Sequence, residues 1–121
     1  MKKNKTFFDS VKCATSGIIK AYKEEKNFRI YTLLLCTFAI INLELEISAI
    51  HWIVYIMCSL LAFSAECFNT AIERICDFLT TEKNDVIKNI KDIAAGAVLY
   101  AGIIYFIVEG IIIYINLWKQ Y

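Results

Sequence analysis

A chain of 121 residues has room for one domain, and 59% apolar residues with no proline and only 4 glycines describe helices rather than a sandwich or barrel. The formal net charge is only +1, so charge informs through its placement rather than its sum, and no nucleic-acid partner is expected. Cys13, Cys36, Cys58, Cys67 and Cys76 lack metal-type spacing and read as small apolar helix residues.

The first 27 residues begin with lysines but have neither the continuous apolar stretch nor the cleavage pattern of a signal peptide. Phe7, Phe8, Val11, Ala14, Thr15, Ile18, Ile19 and Tyr22 recur at intervals of three and four, opposite Lys5, Asp9, Lys12, Ser16, Lys20 and Lys23. This spacing predicts an amphipathic helix over about 6–24, lying in a membrane interface with its lysines reaching toward water. Three apolar segments follow, at about 28–43, 47–65 and 93–118, and read as spans of a hydrocarbon layer about 30 Å thick. The first is short, so its helix is expected to start near Lys23 and continue from the amphipathic segment. A turn over 42–48 closes a hairpin between spans one and two. Span two runs on into an acidic helix ending near Asp77. Phe78–Asp85 is the expected turn, and one long helix covers Val86–Trp118.

Lys2, Lys3, Lys5, Lys12, Lys20, Lys23, Lys26 and Arg29 precede or open the first span; Arg74, Lys83, Lys88 and Lys91 lie between spans two and three; only Lys119 follows. The positive-inside rule then places the N-terminus and 66–92 in the cytoplasm, and the C-terminus outside. Glu109 falls within the third span, where a charge costs about 3 kcal/mol on insertion scales. It is expected to hide inside the bundle, with His51 of its own or a neighbouring subunit, at a similar depth, as a candidate partner.

Where span two leaves the membrane, Glu66, Asn69, Glu73 and Asp77 fall within about 80° of one another on a helical wheel. Like charges at this spacing repel unless a cation or partner compensates them. With Glu24, Glu25, Lys88, Lys91 and Asp92 they form a membrane-surface set suited to a magnesium–phosphate ligand. Carboxylate and amide oxygens suit the hard cation, and lysines suit phosphate oxygens. The chain has no P-loop, no protein-kinase signature, no Ser-His-Asp candidate and no zinc spacing. The residues alone also accommodate a solvated polar cap on a non-catalytic helical assembly, or a small cation carrier using Glu66 and Glu73.

The string E-x-x-N-T-A-I-E-x-x-x-D at 66–77, K-x-x-K-D-I-A-A-G-A-V at 88–98, and Glu25-Lys26-Asn27-Phe28-Arg29 resemble three blocks of the prokaryotic diacylglycerol kinase family, more closely its undecaprenol kinase branch. The resemblance implies an all-helical integral membrane kinase: a surface helix, three spans and a homotrimer with shared sites. It implies phosphoryl transfer from ATP, with Mg2+, to the hydroxyl of a membrane lipid in the cell membrane. Undecaprenol is the favoured acceptor, for recycling of a cell-wall carrier, and diacylglycerol the alternative. By the same resemblance Glu66 is the catalytic base. Glu25 and Glu73 hold metal. Glu25, Asn69, Glu73, Asp77, Lys91 and Asp92 surround the nucleotide, and Glu66 and Ala95 meet the lipid. The N-terminal helix departs from the pattern, with Thr6 and Cys13 where the family often carries arginine or tyrosine. So does the turn at 82–85, Glu-Lys-Asn-Asp in place of a Tyr-His pair.

Overall fold

The computed structural model describes residues 6–119, which leaves Lys2, Lys3 and Lys5 outside the described residues. Four helices follow in chain order: α1 (Phe7–Glu24), α2 (Lys26–Glu44), α3 (Ala49–Leu79) and α4 (Asp85–Trp118). There is no strand among the described residues.

Local chemistry sets each boundary. α1 starts at a capping box in which Thr6 Oγ1 accepts from the Asp9 amide while Asp9 accepts from the Thr6 amide. It stops at Glu25, whose backbone is extended at φ −105°, ψ 116°. This corrects the expectation of a helix continuing through Lys23 into the first span. Arg29 explains the break: its Nη1 donates to the carbonyls of Tyr22 and Lys23 at 3.2 and 2.8 Å. Acceptors at the end of α1 are thereby satisfied without further helix. Glu25 is at once the last cap of α1 and the first of α2. At the other end of α2, Glu46 takes the positive-φ position (49°) of the turn, and Ser48 caps α3 by accepting from the His51 amide.

α3 and α4 are the main packed pair; α2 lies against α3, and α1 folds back onto α2 and α3. Ile47, Tyr55, Ala62, Ala101, Tyr105 and Ile112 form the core, with Tyr31, Leu35, Phe38 and Val108 packed around it. Phe38 joins α2 to α4 through edge-on contacts with Tyr105 and Phe106, both at 5.9 Å. Gly102 permits a close approach there, since an added Cβ would lie 3.1 Å from Tyr31 Oη. The α3 residues Tyr55, Ala62, Glu66, Asn69 and Thr70 are all buried and share one face. The acidic stripe therefore continues the packed face of α3 rather than facing away from it.

The outside of the bundle is apolar. Ile53, Met57, Leu60, Leu61, Ile103, Ile107 and Ile111 are all exposed, a surface that lipid or another subunit must cover. α3 and α4 are long and apolar enough to cross a membrane. At 1.5 Å per residue they extend about 46 and 51 Å, well beyond a hydrocarbon layer of about 30 Å. The excess length on α3 carries the acids.

Near the α2–α3 hairpin lies a second buried polar group. Asn42 and Glu109 are almost fully enclosed. Neither amide atom of Asn42, nor Oε1 of Glu109, nor the hydroxyls of Ser59 and Tyr105, has a hydrogen-bond partner among the described residues. His51 does not pair with Glu109 within the chain: its Nδ1 lies 3.1 Å from Asn116 Nδ2. Asn116, two helical turns beyond Glu109, is the group that reaches the imidazole.

Candidate functional site

The elbow at Glu25, the acidic extension of α3 and the start of α4 meet at one end of the bundle. Glu66 is buried, and the charges of both Glu73 and Glu25 act on it. Asn69, also buried, donates from Nδ2 to Glu73 Oε1 at 3.3 Å, while its Oδ1 is enclosed and has no partner among the described residues. One helical turn explains the Asn69–Glu73 contact, since residues four apart stand on the same face. Glu25 comes from the elbow. Its Oε1 accepts from Nε and Nη2 of Arg74 at 3.3 and 3.0 Å, and the same Nη2 lies 3.0 Å from Glu24 Oε2.

Two turns further along, Lys91 Nζ donates to Asp77 Oδ1 at 2.7 Å across the α3–α4 connection. Lys88 instead pairs with Asp92 at 2.6 Å along α4. The connection over 80–84 is tied at both sides. The Thr80 amide donates to the Cys76 carbonyl at the end of α3, and Asn84 Oδ1 accepts from the Val86 and Ile87 amides at 2.9 and 3.1 Å. Between them opens a cleft of about 800 Å³ whose lining includes Asp77, Thr81, Lys83, Lys88, Lys91 and Asp92. Carboxylates paired with lysines at the cleft give a surface with groups for both a cation and a phosphate chain.

A second groove, of about 270 Å³, runs between α3 and α4 and is lined by Leu61, Ser64, Ala65, Phe68, Asn69, Ile72, Ala94 and Ala97. It is almost wholly apolar and includes Asn69, which it shares with the acidic face of α3, so it suits an alkyl chain lying beside the acids. The small side chains Ala94 and Ala97 make the room. Ala95 is exposed and lies outside this lining.

Glu25, Glu66, Asn69 and Glu73 are thus gathered at the elbow, and Asp77, Lys91 and Asp92 at the neighbouring cleft. The reading from sequence did not single out Arg74. A signal was present: Arg74 is the one arginine or lysine in α3 and directly follows Glu73. No group of three or more His, Cys, Asp or Glu among the described residues closes on a metal-sized point. Magnesium does not need one, because it is commonly held by one or two carboxylates with phosphate and water completing the shell. The donors present are all oxygen, and the unpartnered Asn69 Oδ1 adds a buried acceptor beside Glu73. The residues therefore fit the ion.

The model of the family described as prokaryotic diacylglycerol kinase matches residues 12–113. The undecaprenol kinase of Bacillus subtilis (strain 168) is 34% identical, over 90% of this chain and 88% of its own length. The diacylglycerol kinase of Haemophilus influenzae is 30% identical, over 88% of this chain and 90% of its own. The diacylglycerol kinase of Synechocystis is 34% identical, over 84% of this chain and 58% of its own. A chain matched across this length, with acids, amide and lysines gathered at one end of an apolar helix bundle, belongs to the prokaryotic diacylglycerol kinase family.

Proposed function

We propose that the protein is a lipid kinase that transfers the γ-phosphoryl group of ATP to the hydroxyl of undecaprenol, giving undecaprenyl phosphate and ADP. The observation that carries this reading is the junction at Asn69. There an apolar groove between α3 and α4 borders the acidic face of α3, the two sharing Asn69, which donates to Glu73. A lipid lying in that groove brings its hydroxyl to Glu66 while the nucleotide enters from the Asp77–Lys91 cleft. The 34% identical Bacillus subtilis protein, named as an undecaprenol kinase, supports the choice of acceptor. Two relatives named as diacylglycerol kinases support the alternative, in which the product is phosphatidic acid.

In this reading the lipid oxygen attacks the γ-phosphorus, the bond to the ADP oxygen breaks, and Glu66 orients the hydroxyl and receives its proton. Glu66 and Glu73 are seven residues apart, about 10.5 Å along the helix, so they divide the work. Glu66 serves the acceptor, and Glu73 with Glu25 serves the magnesium ion. Bound there, the ion would neutralise phosphate charge. Asn69 holds Glu73 in place. Lys91 and Asp77 flank the phosphates, with Asp92 beside them, and Ala95 borders the lipid. α2, at 19 residues about 28 Å long, is the third membrane span beside α3 and α4. α1 lies on the cytoplasmic surface with its apolar residues in lipid. The N-terminus and site face the cytoplasm, the C-terminus faces outward, and three copies of the chain share their apolar flanks and sites.

The test is phosphate transfer from labelled ATP with Mg2+ by the purified protein in mixed micelles, with undecaprenol and diacylglycerol offered singly and in competition. Preferential labelling of undecaprenol is expected. Preferential labelling of diacylglycerol would keep the site and replace the acceptor. Transfer to neither lipid by a folded preparation would overturn the proposal.

A further inference from the structure

One cation stands inside the acidic set, and the mechanism above does not use it. Arg74 grips Glu25 through two donors, Nε and Nη2, and both fall on the same oxygen, Oε1. Oε2 is left out of this grip. Nη2 also reaches Glu24, so the guanidinium spans both acids at the end of α1 from its place on α3. Its planar fork is suited to such a hold, which a point charge cannot reproduce.

Glu25 needs holding. It sits alone between two helices in an extended conformation, and its side chain caps neither helix. Glu25 and Glu73 both stand close enough to Glu66 for their charges to act on its carboxyl. Without an opposite charge, Glu25 would turn outward into solvent, away from the other acids. Arg29 fixes only the backbone of the elbow, through the Tyr22 and Lys23 carbonyls. Arg74 fixes the carboxylate itself. Because Arg74 adjoins Glu73, one short segment of α3 supplies a metal-binding carboxylate and the clamp for its counterpart on the elbow.

We infer that Arg74 is a positioning residue for magnesium: it holds Glu25 by Oε1 so that Oε2 is presented to the ion together with Glu73. The inference rests on the proposed metal-binding role of Glu25 and Glu73. Residues that orient metal ligands from the outer shell typically account for about 10–100-fold in affinity. The Arg74→Ala variant is therefore expected to raise the Mg2+ concentration needed for half-effect by about tenfold, with Arg74→Lys intermediate.

The measurement is thermal stabilisation of the intact protein in detergent micelles, with a non-hydrolysable ATP analogue, as Mg2+ is titrated. Arg29→Ala is the control for a merely looser elbow. It should lower the unfolding midpoint without moving the Mg2+ half-effect concentration. Glu25→Gln and Glu73→Gln should remove most of the Mg2+-dependent stabilisation. If they do and Arg74→Ala leaves the half-effect concentration in place, the clamp is overturned while the metal assignment stands. A lower half-effect concentration in Arg74→Ala overturns it too, since Arg74 would then compete with the ion. An equal shift in Arg29→Ala would reduce Arg74 to a brace of the elbow. Full Mg2+ stabilisation in both glutamine variants would overturn the metal assignment, and the clamp with it.

Discussion

Glu66 and Glu109 are both buried carboxyl groups on the packed faces of long apolar helices, yet their surroundings differ in kind. Around Glu66 the bundle supplies two further acids, an amide, Arg74 and, beyond them, Lys91 facing Asp77 across an open cleft. Around Glu109 it supplies Asn42 and Tyr105, the latter beside Ser59, all with unpaired atoms, and among the described residues no ion pair reaches it. A polar residue on a packed helical face is thus no mark of chemistry by itself. What marks the elbow end is opposite charge in place, room for a ligand in the neighbouring cleft, and an apolar groove alongside that shares Asn69 with the acids.

The contrast can be broken most directly by matched substitutions. Glu66→Gln should lower phosphoryl transfer about a thousandfold, the scale of a lost proton acceptor. Glu109→Gln should leave it within about twofold, because nothing joins that carboxyl to the reacting groups. Both are read by labelled-phosphate transfer, with assembly checked by size. A large loss in Glu109→Gln would make the hairpin end part of the machinery.

Lys91 sharpens the same comparison from the cleft side. Lys91→Ala removes the 2.7 Å contact with Asp77 and a cation from the cleft. The KM for ATP is expected to rise about tenfold while the KM for the lipid holds, since a charge-assisted contact to phosphate is worth on the order of 1.5 kcal/mol or more. Equal rises in both constants would place Lys91 outside the nucleotide's path.

The smallest effect is on stability. The buried amide of Asn42 and the Glu109 carboxyl leave atoms unpartnered, each at a cost of about 1–3 kcal/mol that apolar side chains of similar size would not incur. Asn42→Leu combined with Glu109→Met should raise the thermal midpoint in detergent and preserve transfer. A fall in the midpoint would show that these groups are satisfied within the assembled protein.

Periodicity made much of this legible in the sequence. Apolar spacing marks α1, α3 and α4, and the positions 66, 69, 73 and 77 put the acids on one face before any coordinates exist. Two features escaped for the same reason: each is made by a side chain reaching across the chain. The break at Glu25 depends on Arg29 turning back to carbonyls six and seven residues behind it. The Arg74–Glu25 contact joins residues 49 apart. Within E-x-x-N-T-A-I-E-x-x-x-D, Arg74 occupies an unspecified position, so a motif reading passes over it. Within the chain His51 meets Asn116 rather than Glu109: the two α4 residues share a helical face, and the seven residues between them, about 10.5 Å along the axis, decide which one stands level with the imidazole.

The link over 80–84, tied at one side by the Thr80 amide and at the other by Asn84, works as a ruler. Its span sets how far Lys91 stands from Asp77, and so the aperture of the cleft. Lengthening it by even one residue would rotate or retract the start of α4 and part that pair. A short segment that also lines the cleft thereby gauges the size of whatever enters between the two helices.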